Sequence, residues 1–246
     1  MKYCRVYILL LFLGVTMNLS AQYFSLSMSS DLGKNQLAEG VFYRPSAMTS
    51  YGHGNYFAST GFQWTFSQAD RQVFSAWQTS FGMLYMPKEY PFYFSLFSLI
   101  NPYSDLSREV NVGFILSHQR EHLLFRIGNA SRIYALKKSA ISSRGITPEA
   151  SRRIVEYRNF TYQLLAYLNN KDKSWNLGAG ISNIDNFRVQ QETNPMLLLS
   201  AYTRIITGLS INLDFWYQGA GMLNLSADYF GYYGRIGIIW IPGLNK

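Results

Sequence analysis

The stretch SWNLGAGISN, Ser174 to Asn183, alternates without interruption. Trp175, Leu177, Ala179 and Ile181 fall on one side of an extended chain. Asn176, Gly178, Gly180 and Ser182 fall on the other, because successive side chains of a strand point to opposite faces. One face is apolar and the other small and polar. Which of them meets water decides the fold.

The pattern recurs along the chain. In NYFASTGFQWTFS (55–67), Tyr56, Ala58, Thr60, Phe62, Trp64 and Phe66 oppose Phe57, Ser59, Gly61, Gln63 and Thr65. In GLSINLDFWYQ (208–218), Leu209, Ile211, Leu213, Phe215 and Tyr217 oppose Ser210, Asn212, Asp214, Trp216 and Gln218. REVNVGFILSHQ (108–119) sets Val110, Val112, Phe114 and Leu116 against Asn111, Gly113, Ile115 and Ser117. MLNLSADYF (222–230) sets its leucines against Asn224, Ser226 and Asp228, and further on Tyr232, Ile236, Ile238 and Trp240 oppose Arg235 and Gly237. The spacing predicts strands near 22–30, 37–43, 55–67, 73–86, 91–100, 109–118, 122–134, 159–168, 174–184, 196–206, 209–218 and 222–241, the last a hairpin. Many reach about ten residues, the length a tilted strand needs to cross a hydrocarbon layer. Strands of water-soluble domains average five to six.

Composition supports an outward apolar face. Charged residues are only 15% of the chain and aromatics 17%, against about 25% charge in a typical soluble domain. A lipocalin-like barrel or a secreted sandwich would dress its outer face in lysine and glutamate. Here the non-apolar face carries Gly, Ser, Asn and Gln, so the economical arrangement places aromatic and aliphatic side chains toward lipid and small polar ones inward. A closed barrel also leaves no unpaired backbone edge in lipid. The expected fold is an all-β transmembrane antiparallel up-and-down β-barrel of about 12 strands, with 10–14 as the range. Its inward candidates are Asn176, Ser182, Asn212, Asp214, Gln218, Asn224, Asp228 and Arg235.

Residues 1–21 read as a secretory signal peptide: a basic start at Lys2 and Arg5, a short apolar core, and small residues before Gln22. The core is too short for a spanning helix, which needs about 20 residues. Cys4, the chain's sole cysteine, precedes the core, which argues against lipidation there and leaves the 22–246 domain without a disulfide. Removing residues 1–21 takes Lys2 and Arg5 from the formal net charge of +8.

From Ala135 to Asn159 the alternation breaks. Lys137, Lys138, Arg144, Arg152, Arg153 and Arg158 stand there against Glu149 and Glu156. Thr147 and Pro148 give a helix start signal. A basic connection with a short helix is expected, offering a docking surface for an acidic protein or a lipid headgroup. Counted back from the C-terminal strand, it falls at the periplasmic end.

Chemistry-bearing motifs are sparse. HQREH (118–122) has the spacing of an inverted zinc-protease motif, but it straddles a strand end, where i and i+4 do not converge. His53 marks a glycine-flanked turn. No G-x-S-x-G is present, and Asp214, Asp228 and Arg235 are expected near one another as a polar interior network rather than a catalytic set. No cofactor, metal or nucleic-acid site is expected.

The signal ending in SAQ, then VFYRPSAMTS, GFQWTFS, SWNLGAGISNI and NPMLLLSAYTRI in that order, resembles the PorP/SprF-like outer-membrane barrels of type IX secretion and gliding machinery. Arg44-Pro45-Ser46 stands where the family usually has Asn-Pro-Ala. The resemblance implies a non-enzymatic outer-membrane barrel that helps present or anchor a secreted adhesin, with periplasmic secretion components as partners. The alternatives are a small-solute porin-like channel and an outer-membrane lipid hydrolase.

Overall fold

In the computed structural model the described residues are 23–34, 41–67, 74–85, 92–102, 107–136, 154–170, 172, 174–190, 195–218 and 231–242. They form β1 (Tyr23–Lys34), β2 (Val41–His53), β3 (Tyr56–Trp64), β4 (Phe66–Ser67), β5 (Phe74–Tyr85), β6 (Phe92–Pro102), β7 (Ser107–Arg120), β8 (Leu123–Leu136), β9 (Ile154–Asn169), β10 (Trp175–Ser182), β11 (Met196–Ile206), β12 (Leu209–Tyr217) and β13 (Tyr232–Trp240). Apart from the short β4, which pairs with β2 while β3 pairs with β5, each strand pairs antiparallel with its sequence neighbours, and β1 pairs with both β2 and β13, so the sheet closes on itself. Both β3 and β4 lie against β2 and form one interrupted stave. The result is a closed barrel of 12 antiparallel staves. Closure satisfies every strand edge, which the expected lipid surroundings require.

The interruption has a physical cause. Pro45 lies inside β2, opposite Ser30 of β1, and has no N–H to donate on its other side. The partner stave breaks there, at Thr65, and the ladder resumes at Ser46–Gln63. The Arg-Pro-Ser segment thus continues the strand predicted over 37–43.

A further expectation is corrected. Residues 154–158, Arg158 among them, belong to β9 rather than to a loop helix. Ile154, Val155 and Glu156 pair with Tyr134, Ile133 and Arg132, and this long-range pairing outweighs the local helix signal. Lys137, Lys138, Arg144, Arg152 and Arg153 lie outside the described residues, as do Asn224 and Asp228. Of the hairpin predicted over 222–241, residues 222–230 lie outside the described residues, and Tyr232–Trp240 forms β13 between β12 and β1.

That strand count reverses the expected side of the basic connection. The start of β1, the end of β13 and the tight turns at Gly54-Asn55, Glu121-His122 and Thr207-Gly208 share one end of the barrel. Gly54 and Gly208 have φ of 57° and 81°, a region these turns require and L side chains avoid. The three longest connections, 137–153, 183–195 and 218–231, leave from the opposite end. Bacterial barrels keep short turns periplasmic and long connections outside.

The alternation of the sequence maps onto the wall as expected. Leu177, Leu199, Leu213, Ile236 and Ile238 point outward and are exposed. Outward aromatics cluster toward both rims: Tyr43, Trp64, Phe66, Tyr217 and Tyr232 at one, Tyr56, Trp175 and Trp240 at the other. This is the apolar band with two aromatic girdles that suits a bilayer. The interior is less uniformly small than the sequence suggests. Phe42, Leu124, Leu165, Met196, Leu198, Trp216 and Tyr233 form one buried apolar cluster, and Phe97, Leu99, Ala130, Ile184 and Val189 another.

Candidate functional site: the lumen and its inward hairpin

The second apolar cluster exists because the β10–β11 connection folds into the barrel. Ile184 and Val189 pair as an isolated antiparallel bridge. Both are buried with Phe97, Leu99 and Ala130 of the wall. Apolar contact seats the hairpin, and polar contacts fix its base. Ser182 Oγ donates to the Ile184 carbonyl at 2.6 Å, and Asn183 Nδ2 donates to the Phe160 carbonyl at 2.7 Å. The Tyr162 N–H donates to Asn183 Oδ1 at 2.7 Å. From the far side Arg132 Nη2 donates to the Val189 carbonyl at 2.6 Å, while Arg132 also contacts Asn111 and Glu109.

A charged network holds the same hairpin toward the end of the long connections. Arg235 Nε and Nη2 donate to Asp31 Oδ1 and Oδ2 at 2.7 and 3.0 Å. Gln63 Nε2 donates to Asp31 Oδ2 at 3.2 Å. Asp185, from the hairpin, accepts from the Tyr233 hydroxyl at 2.7 Å and from the Phe187 N–H at 2.6 Å, with Arg235 Nη2 at 3.5 Å. Burial alone would raise the Asp185 carboxyl. Arg235, Arg188 and its two hydrogen bonds outweigh that and hold it below its ordinary range. The Arg44 guanidinium lies 3.7 Å over the Phe42 ring beside this network.

Beneath the hairpin lies a cavity of about 730 Å³, running from Ile184 and Asp185 to Gln119 and Ile239. Its wall carries hydroxyl pairs across neighbouring strands, such as Ser59 with Ser80 at 2.6 Å and Tyr202 with Ser210 at 2.7 Å. Arg126 on β8 donates to Gln163 at 2.9 Å. Asp214 on β12 accepts from Ser200 at 2.7 Å and from Asn212 at 3.1 Å.

Among the sequence-predicted inward residues, Asn176, Asn212, Asp214 and Arg235 line this cavity. Ser182 lies at the hairpin base, and Gln218 is buried at the end of β12. The expected Asp214–Arg235 neighbourhood is only a backbone one. Asp214 faces Arg235 in the strand register, yet the guanidinium turns to Asp31 and Asp185. Sequence reasoning missed Asp31, Asp185, Tyr233 and the hairpin itself. Asp31 was visible as the single acid in a run of serines, SLSMSSD, and Asp185 as the acid of NIDNF. HQREH forms no ligand pair: His118 packs against Phe92 with ring centroids 4.8 Å apart and His122 sits in a turn. Among the described residues no three His, Cys, Asp or Glu side chains gather.

No protein-family model and no curated protein sequence matches the chain. Its fold is similar to several solved outer-membrane structures. An outer membrane channel from Pseudomonas putida F1 superposes with a TM-score of 0.54 at 8% identity, covering 91% of this chain and 96% of that one. The KdgM porin gives 0.51 at 6% identity over 88% and 98% of the two chains. The NanC porin gives 0.51 at 10% identity over the same shares. At such identities the likeness concerns the fold: this chain is a 12-stranded antiparallel barrel with the architecture of outer-membrane porins.

Proposed function

We propose that the protein resides in the outer membrane, exported by a cleaved segment over residues 1–21, and passes small polar solutes through a bore that the 183–190 hairpin narrows. The observation carrying this reading is the cavity, lined by polar and apolar side chains alike, inside a barrel whose outer face is apolar. Porin neighbours support it at the level of fold. Planar-bilayer recording tests it. Purified protein is expected to give small, discrete KCl steps, and a variant with residues 185–188 replaced by glycine larger ones. Absence of conductance in both removes the channel.

A second reading is a non-enzymatic accessory or anchoring barrel of a type IX-like secretion or surface-adhesin system. It is favoured by the firmly pinned hairpin and by the PorP/SprF-like order of motifs. The basic residues of 137–153 then dock an acidic secreted or periplasmic partner. The end of the barrel from which that connection leaves favours the secreted one. Mild-detergent co-purification tests this reading, and recovery of the barrel alone counts against it.

A further inference from the structure

Two opposite charges stand apart on the cavity wall. Among the described residues the Arg126 side chain makes one hydrogen bond, from Nη1 to Gln163 Oε1 at 2.9 Å, and pairs with no carboxylate. Asp214 accepts from Ser200 Oγ at 2.7 Å and from Asn212 Nδ2 at 3.1 Å, and pairs with no cation among them. Both residues are half-buried and both line the cavity. The other two charged residues of the described lining, Arg235 and Asp185, are held in the hairpin network. One cation and one anion are therefore left to the bore, each fixed by neutral neighbours.

The wall keeps these two charges within one sector. Tyr167 on β9 faces Gly178, Gly178 faces Ser200, and Ser200 faces Asp214, in one register row across β9 to β12. A Cβ at Gly178 would meet the Tyr167 ring at 2.8 Å, so the ring lies over β10 in the space that a side chain would fill. The charges of Arg126 and Asp214 both act on the Tyr167 hydroxyl.

A lone ion entering here is drawn to one of the two groups and repelled by the other. Displacing water from a half-buried charge is offset only by an opposite charge in good hydrogen-bonding geometry. A molecule with a carboxylate at one end and an ammonium at the other meets both requirements. The guanidinium is a planar fork of five donors that takes a carboxylate through two parallel bonds. A carboxylate that already accepts two hydrogen bonds keeps lone pairs for an ammonium, which brings three donors. About 730 Å³ lies within the usual range of small-molecule sites, about 300–1,000 Å³.

We propose that this sector of the bore is a binding subsite for a small zwitterion, a free amino acid or short peptide, whose carboxylate meets Arg126 and whose ammonium meets Asp214. For access from outside, the proposal rests on the channel reading. Binding itself does not require conduction.

The test uses the full mature barrel at neutral pH, with glycine and glycylglycine as probes. In bilayers at least one of them is expected to occlude the KCl current. Its N-acetylated and its amidated forms, each lacking one charge, should need at least fivefold higher concentrations. In Arg126→Gln the amidated form should match the zwitterion, while the acetylated form stays weaker. In Asp214→Asn the acetylated form should match it, while the amidated form stays weaker. A variant that weakens all three forms alike overturns the contact it was made to remove. The analogues on the native barrel decide the matter even where a variant fails to fold. Equal occlusion by either singly charged form overturns the zwitterion site, as does unaltered current with both probes while KCl passes. If KCl does not pass at all, the channel reading falls separately, and equilibrium dialysis of the labelled probes against the detergent-solubilised barrel decides the subsite. Retention displaced by unlabelled zwitterion but not by the acetylated form supports it, and no retention overturns it.

Discussion

Arg235 on β13 grips Asp31 on β1 across the seam where the barrel closes, through contacts of 2.7 and 3.0 Å between residues 204 positions apart. The two face each other in the backbone register and are 5% and 1% exposed. Asp214 faces Arg235 equally from the other neighbouring strand, but Ser200 and Asn212 occupy its oxygens. The guanidinium fork thus ties the first stave to the last. The same fork reaches Asp185, so barrel closure and hairpin placement share one cation.

Asp31→Asn leaves that buried cation without its main counter-charge. Removing one partner of a buried pair costs about 3–5 kcal/mol. The variant is expected to lose the compact, heat-modifiable form on gels at a markedly lower temperature than the native barrel. Asp214→Asn is expected to shift it far less. Equal shifts would show that closure does not depend on the Asp31 contact.

Val189→Asp places an unpaired charge among Phe97, Leu99 and Ala130, a burial that proteins avoid. The hairpin is expected to leave its seat while the barrel remains folded. Single-channel conductance then rises at least twofold. Unchanged conductance would mean that the hairpin does not limit the bore.

The Asp185 carboxyl carries a sign that can be read against pH. Its pKa lies below the ordinary carboxylate range of about 4, so its ionised form favours the pinned hairpin. That contribution is complete above the ordinary value and is lost as pH falls through the lower folded one. Arg235 and Tyr233 face it from β13, Arg188 from its own connection, and Asp31 and Arg44 stand beside the network. Conductance is expected to be flat from pH 8 to pH 5 and to rise only below about pH 4. In Asp185→Asn the acid step should vanish.

Gly180 packs so closely on β9 that a Cβ would meet the Leu164 carbonyl, which is backbone and cannot move aside. Gly180→Val is expected to block folding, or to cost more than about 2 kcal/mol. Gly237→Ala, which would meet only the Asn212 side-chain amide, is expected to fold. Refolding yield in detergent compares the two directly.

The wall of the barrel was legible because a two-residue period leaves its trace in every strand. Trp175, Leu213 and Ile236 point outward as their spacing dictates, and Asn176, Asp214 and Arg235 inward. What occupies the bore was not legible. The hairpin at Ile184–Val189 is a pairing inside a connection, where no periodicity extends beyond a few residues. The partner of Arg235 lies at the other end of the chain, and only closure brings it near. The helix signal starts at Thr147–Pro148, outside the described residues, and it gave no sign that Ile154 and Val155 pair with β8. The strand predicted over 37–43 stopped short of Pro45, because a lone sequence does not show that the neighbouring stave breaks beside it.

Five tryptophans test the orientation on which the account stands: Trp64, Trp77, Trp175 and Trp240 alternate outward, and Trp216 alone points into the bore. In single-tryptophan variants reconstituted in bilayers, lipid with brominated acyl chains should quench the four outward residues and spare Trp216. Quenching of Trp216 with protection of the others would turn the barrel inside out and contradict the account.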